Sequence, residues 1–132
     1  MQKSNLFQVV SLIKMWDTLT PEPILDLVSD DITYESFWVF IPIHGKQNFL
    51  FYIEKKLNTI KDAVERNKIS LSTSLVQIEE IGDEYFILLK HTITGTDFET
   101  LLRVSVTGVL ISKIQLTPVY KTYTLKLVTD KL

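Results

Sequence analysis

Apolar residues near the start of the chain repeat at helical spacing. From Asn5 to Leu19 they recur every three or four positions, which places one apolar stripe along a first helix. Thr20, followed by Pro21 and Pro23, predicts a second helix, because threonine caps free amides and proline needs no donor in a first turn. We expect this second helix to end near Asp30.

The period of the pattern then changes twice. Between Asp31 and Phe40 polar and apolar residues alternate, which predicts a strand with a mixed inner row. Pro42 and Gly45 break the alternation, and helical spacing returns after them. The pattern therefore predicts a third, long helix that ends at about Asn67.

From Ile69 onward the pattern has a period of two residues, interrupted by glycine-containing turns. The apolar residues change parity between Leu75 and Val76, which predicts an inserted bulge residue. Alternation over Tyr120–Val128 is consistent with a further edge strand. The other predicted strands are Ile69–Ile78, Tyr85–Ile93, Phe98–Val106 and Leu110–Leu116.

Helices followed by an antiparallel meander are typical of the α+β class. We therefore expect an α+β fold in which three N-terminal helices pack on a curved antiparallel sheet. A length of 132 residues fits one domain, and we expect residues 1–132 to form it.

Charge and cysteine content exclude several classes of function. The 14 basic and 16 acidic residues are mixed along the chain and leave a net charge of −2, which predicts no nucleic-acid partner and no membrane partner. The chain has no cysteine, so a structural zinc would depend on His44, His91 and carboxylates, and we expect no metal and no cofactor. No apolar run reaches the roughly 20 residues of a spanning helix, and no signal-peptide pattern occurs. We expect a cytoplasmic protein.

Five short motifs occur along the chain in an order that resembles the order found in one protein superfamily. Their order and spacing resemble the nuclear-transport-factor-like cone superfamily, and within it the SnoaL-like polyketide cyclases and ketosteroid-isomerase-like proteins. The likeness covers Leu6 to Leu116, and it implies a cone-shaped, cystatin-like roll with an interior pocket. The motifs are Trp16–Leu19, Leu27–Asp31, Ile32–Ser36, His44–Lys46 and Ile111–Gln115.

The resemblance also gives the positions of the isomerase's catalytic groups. That enzyme uses an aspartate base opposite a tyrosine and a protonated aspartate. The base falls on Ser36, the tyrosine on Leu12 and the protonated aspartate on Leu102. The resemblance therefore implies the fold and the pocket without the isomerase's catalytic residues.

If Ser36 marks the pocket side of its strand, a largely apolar row shares that side, as in most small-molecule pockets. The alternative interpretation is that the same side chains fill an ordinary core. The predicted ligand-binding residues are Trp16, Tyr34, Ser36, Trp38, Tyr52, Leu89, His91 and Leu102.

His91 is the one imidazole predicted inside the cone. Histidine titrates near neutral pH, so His91 is our candidate catalytic base, paired with Tyr34 or Tyr52 on a small carbonyl or polyketide-like substrate. The alternative is a histidine that serves as hydrogen-bonded scaffolding. We interpret His44 as a surface turn residue and Asp30-Asp31 as a cap and turn device.

The opposite parity of the meander carries a second apolar row. An apolar surface of this size is unfavourable in water, so we predict a homodimer that packs these convex sheet faces together. The residues of the row are Val76, Ile78, Phe86, Leu88 and Leu101.

Two functions from different classes fit these patterns. The first is a SnoaL-like protein that binds a small, largely apolar molecule, with or without proton-transfer catalysis of the cyclase or isomerase type. The second is a non-enzymatic dimerisation or protein-interaction module whose cone is filled by its own side chains. An open cavity near Tyr34, Ser36, Tyr52 and His91 favours the first, and a cone closed by Tyr34 and the two tryptophans favours the second.

Overall fold

A computed structural model describes residues 4–37 and 39–128 of the chain, with the backbone alone at positions 39 and 40. Within these residues the chain forms two α-helices and seven strands. The helices are Leu6–Thr18 (α1) and Lys46–Glu65 (α2). The strands are Val28–Ser36 (β1), Val39–His44 (β2), Ile69–Ile78 (β3), Tyr85–Ile93 (β4), Thr96–Thr107 (β5), Leu110–Pro118 (β6) and Leu125–Leu127 (β7).

The seven strands form one curved sheet in the order β2-β1-β6-β5-β4-β3-β7. Neighbouring strands are antiparallel except for β1 and β6, which run parallel. The sheet is therefore mixed, and the prediction of a purely antiparallel sheet is wrong. The parallel pair forms because the chain passes through α2 and the meander before it returns beside β1.

The predicted second α-helix is also wrong, and the structure has two α-helices instead of three within the described residues. A short 3-10 turn at Glu22–Ile24 takes its place, and β1 begins at Val28. The prolines are suited to the first turn of a helix, but the backbone that follows them pairs with the sheet. The Ile111 amide donates a hydrogen bond to the Leu27 carbonyl at 2.6 Å. Tertiary pairing thus overrides the local helix signal.

The two helices pack on the concave face of the sheet, and each of them buries one stripe of side chains. Phe49, Ile53 and Leu57 of α2 are four residues apart and therefore lie on one helical face against the sheet. Neither helix, nor any other helical segment among the described residues, has the length and hydropathy of a membrane-spanning segment. The buried residues of α1 are Gln8, Val9, Ser11, Leu12, Ile13, Met15 and Trp16.

No bulge occurs where the apolar residues of β3 change parity. β3 and β4 pair in unbroken register over their shared length. Leu75 faces the helices, whereas Val76 and Ile78 belong to a separate buried cluster on the opposite face. The parity changes because both faces of the sheet are buried at this end of β3, and the predicted bulge is wrong.

The convex apolar row consists of the residues that the sequence predicts, but it is covered within one chain. We call residues 119–128 the C-terminal segment; its Val119, Tyr123 and Leu125 pack on the row. Its strand β7 pairs with β3, and the Glu80 carboxylate accepts hydrogen bonds from the Thr124 amide at 2.6 Å and hydroxyl at 2.8 Å. A homodimer through this face would require the segment to leave, and the homodimer stays a prediction. The cluster is Val76, Ile78, Phe86, Leu88 and Leu101.

Candidate functional site

A cavity of about 600 Å³ lies between the middle of α2 and the concave face of the sheet. Exposed residues of α2, Lys55 and Thr59, contribute to its wall, so the cavity opens to solvent. The buried side chains of Trp16 and Leu116 form its inner end. The full lining is Trp16, Tyr52, Lys55, Lys56, Thr59, Ile60, Ile69, Leu71, Leu89, His91, Ile93, Thr100 and Leu116.

Helical and strand periodicity together assemble this wall. Tyr52, Lys56 and Ile60 are four residues apart on α2 and therefore point to the same side. On the sheet, His91 of β4 lies directly opposite Leu71 of β3, so both side chains emerge on one face. The wall is thus one stripe of α2 facing alternate residues of the strands.

The structure brings four of the predicted site residues into the cavity wall and places three others in the core. Tyr34, Ser36 and Leu102 are buried on the same face of the sheet but do not line the cavity. Ser36 and Leu102 both pair with Leu116 of β6, and of these three residues Leu116 alone lines the cavity. Trp38 lies outside the described residues. The four in the wall are Trp16, Tyr52, Leu89 and His91.

The remaining wall residues are not among those predicted from the sequence. The α2 residues follow Tyr52 at four-residue spacing, so the helical pattern carried a usable signal for Lys56 and Ile60. Nothing local marks Thr100 or Leu116, because they reach the wall only through long-range pairing of β5 and β6. Their contribution depends on the sheet register.

A scan with family models finds no match to this sequence, and a comparison with curated proteins finds none either. Solved structures match it over most of its length at low identity. An NTF2-like protein of unknown function from Cytophaga hutchinsonii gives a TM-score of 0.59 at 10% identity, covering 89% of this chain and 92% of that chain. An uncharacterised cystatin-fold protein from Novosphingobium aromaticivorans gives 0.60 at 12% identity, covering 88% and 99%.

A third structure, an LEH-like epoxide hydrolase from M. tuberculosis, gives a TM-score of 0.56 at 12% identity, covering 85% of this chain and 80% of that chain. The chain has the NTF2-like cone fold. This confirms the predicted resemblance in fold to nuclear-transport-factor-like proteins and the predicted cystatin-like roll. At these identities the likeness concerns the fold alone.

Tyr34 fills the inner part of this NTF2-like cone. Its ring centroid lies 5.7 Å from that of Phe49 and 5.3 Å from that of Tyr52. Burial, and secondarily the neighbouring Tyr52, raises the pKa of the Tyr34 hydroxyl far above its ordinary range. Since Tyr34 is protonated and outside the cavity wall, Tyr52 is the better placed of the two tyrosines proposed as a partner for His91.

His91 lies in the wall of the NTF2-like cone as a neutral imidazole. Its ring stacks on Phe98, with centroids 5.3 Å apart and planes inclined by 15°. Partial burial first, and the charge of Lys56 second, lower the pKa of His91 below its ordinary value. The imidazole therefore keeps a lone pair free to accept a proton at neutral pH.

We expect this depressed pKa to make stability depend on pH. Because the folded pKa lies below the unfolded value of about 6.5, the stabilisation is full above that pH and decreases as pH falls through the folded pKa. His91→Gln should remove this loss, which we expect to be under about 1 kcal/mol for a partly exposed group. Urea unfolding at about pH 7 and about pH 5 measures it.

The other histidine supplies the control. His44 is exposed, and its Nδ1 lies 3.3 Å from the Thr33 hydroxyl. His44→Gln should leave the pH dependence as it is in the natural chain. If His91→Gln and the natural chain lost the same stability between the two pH values, the proposed environment of His91 would be wrong.

The remaining polar motifs make local contacts away from the cavity. Asp31 lies in β1 rather than after a helix, and its carboxylate accepts a hydrogen bond from the Ser29 hydroxyl. Among the residues described, no three histidine, aspartate or glutamate side chains are grouped closely enough to hold a metal ion.

Proposed function

We propose that this chain binds a small, largely apolar molecule in the cavity of its NTF2-like cone. The observation that carries the proposal is an open space of about 600 Å³ beside α2 with a mostly apolar wall. Ligand pockets typically measure about 300–1,000 Å³ and combine an apolar wall with a few polar groups. Tyr52, Thr59, His91 and Thr100 contribute uncharged polar groups to this wall.

The interaction module, our alternative function, requires a cone filled by its own side chains. The inner part is filled, because Trp16, Tyr34 and Leu102 are buried there. The outer part beside Tyr52 and His91 is open. This open part favours ligand binding over the filled module, while the homodimer and the cytoplasmic location stay predictions.

Catalysis is an extension of the same proposal. In it, the neutral His91 imidazole removes a proton from a carbon next to a substrate carbonyl. The Tyr52 hydroxyl, which accepts a hydrogen bond from Lys56 Nζ at 3.4 Å, donates its own proton toward the carbonyl oxygen as negative charge develops there. His91→Ala should then abolish turnover of an identified substrate without abolishing its binding.

Filling the cavity should block binding. Leu71 lies in the cavity wall as the cross-strand neighbour of His91, so Leu71→Trp places a larger side chain in the open space. We expect the affinity for a neutral apolar fluorophore, N-phenylnaphthylamine, to fall at least about tenfold, which is about 1.4 kcal/mol. Fluorescence titration measures this loss, and native mass spectrometry of the purified chain shows which small molecules it retains.

The neighbouring residue provides a matched control. Ser72 is exposed and, by strand alternation, points to the opposite face of β3. Ser72→Trp adds the same side chain outside the cavity, so it should bind the fluorophore like the natural chain. Equal affinities for Leu71→Trp and Ser72→Trp would show that the fluorophore binds elsewhere.

A further inference from the structure

We propose that the cavity selects an amphipathic carboxylic acid, with its apolar body inside the cone and its carboxylate held by Lys56 at the mouth. This inference rests on the proposed function and adds the chemical class of the ligand. It follows from the charges of the wall, from the contacts of Lys56 and from the polarity of the inner end.

The charged residues of the wall are all basic. Lys55 and Lys56 of α2 line the cavity, and no aspartate or glutamate appears among the described residues that line it. The ion pairs found in the described part of the chain involve other cations, so neither lysine is neutralised by a carboxylate there. An anion at the mouth is therefore attracted, and a cation is repelled.

Lys56 is held against the wall by Tyr52. Its Nζ donates to the Tyr52 hydroxyl at 3.4 Å and lies 5.7 Å from the centre of the tyrosine ring. An ammonium has three N–H donors, so two remain for a ligand. Because the tyrosine oxygen accepts from Lys56, the tyrosine O–H is available as a further donor. Two donors side by side match the two oxygens of a carboxylate.

The inner end of the cavity favours the apolar part of the ligand. The buried side chains of Leu89, Leu116 and Trp16 surround it, and the buried Thr100 adds one hydroxyl. A carboxylate placed there would lose its hydration without gaining a charged partner, which is strongly unfavourable. An amphipathic acid is thus oriented, with its apolar chain inward and its anion at Lys56.

A series of ligands with one body and three headgroups tests this inference. Decanoate, decanol and decylamine are each titrated against the natural chain near neutral pH by displacement of N-phenylnaphthylamine. We expect decanoate to bind at least about tenfold more tightly than decanol, and decylamine to bind most weakly. Lys56→Gln should lower the ratio of decanoate affinity to decanol affinity from at least about ten to about one.

Lys61 provides the control, because it is an exposed lysine of α2 that does not line the cavity. Lys61→Gln should keep the preference for decanoate. Equal binding of decanoate and decanol by the natural chain would overturn the inference while leaving the proposed function intact, and so would an undiminished preference in Lys56→Gln. If none of the three compounds displaced the fluorophore and no probe bound, the proposed function itself would fail.

Discussion

Removal of residues 119–132 is expected to destabilise the chain by several kcal/mol and to make it self-associate. The deletion takes away Val119, Tyr123 and Leu125, which are partly buried against the convex cluster. A fully buried apolar side chain contributes about 1.5–3 kcal/mol, so each of these three contributes part of that amount, and the uncovered cluster loses its own burial as well. The deletion also removes the pairing of β7 with β3 and the two hydrogen bonds from Thr124 to Glu80. Urea unfolding measures the stability, and light scattering at micromolar concentration measures the mass.

Self-association should follow because the uncovered cluster is apolar and contiguous. Phe86 and Val76 are each only 1% exposed while the C-terminal segment is in place. Without the segment, packing against a second copy of the chain is the most favourable way to keep these side chains from water. The deletion would then create the convex-face homodimer that the sequence predicts for the full chain.

Two leucines of β7 give a matched comparison that leaves the chain length unchanged. Leu125 packs on the cluster, whereas Leu127 is 62% exposed. Leu125→Ser should therefore lower the free energy of unfolding by more than Leu127→Ser does. A full-length dimer that dissociated on deletion of the segment would contradict this account, since the segment would then be making the interface rather than covering it.

On the convex face, the sequence pattern predicts which residues share the face but not what covers them. Alternation is a local property, so it correctly assigned Phe86 and Leu88 to one face of β4 and Ile87 and Leu89 to the other. What covers each face is a long-range property. The alternation in Tyr120–Val128 indicated a strand, but it contained nothing that identified β3 as its partner.

The same distinction explains the two wrong predictions near β1 and β3. The helix signal at Pro21 and Pro23 was real but weak, and it was overridden by the hydrogen bond of Leu27 to a distant strand. The parity change after Leu75 was also real, but a bulge and a strand buried on both faces produce the same pattern. Only the unbroken pairing of β3 with β4 separates them.

The sequence predicted on which face of the sheet the candidate site lies, but not which residues of that face border the open cavity. Periodicity placed both Ser36 and His91 on the concave face, and the structure has both there. Whether an inward position borders open space depends on how far α2 stands from each strand, which no spacing in the sequence encodes. The resemblance to the isomerase centred the site on Ser36, whereas the cavity lies toward β3 and α2, where Lys56 contributes to the wall.

The second large effect is expected at Asn5, where Asn5→Asp should lower the free energy of unfolding by about 3 kcal/mol or more. Asn5 is 7% exposed, and its side-chain Nδ2 donates to the carbonyls of Tyr85 at 3.1 Å and Val104 at 3.0 Å. Its Oδ1 accepts from the Tyr85 amide at 3.1 Å. The β4–β5 pairing starts at Phe86 and Arg103, so Asn5 satisfies backbone groups just beyond the last pair.

Aspartate cannot replace this amide, because a carboxylate has no N–H to donate. Both carbonyls would lose their donor and face a buried negative charge, so the loss of stability should shrink as pH is lowered and the carboxylate is protonated. Asn48→Asp is the control, since its exposed Nδ2 donates to the His44 carbonyl at 3.0 Å. Urea unfolding at about pH 7 and about pH 4 compares the two variants. Equal costs at Asn5 and Asn48, or a cost at Asn5 that did not change with pH, would mean that α1 is not joined to β4 and β5 through this side chain.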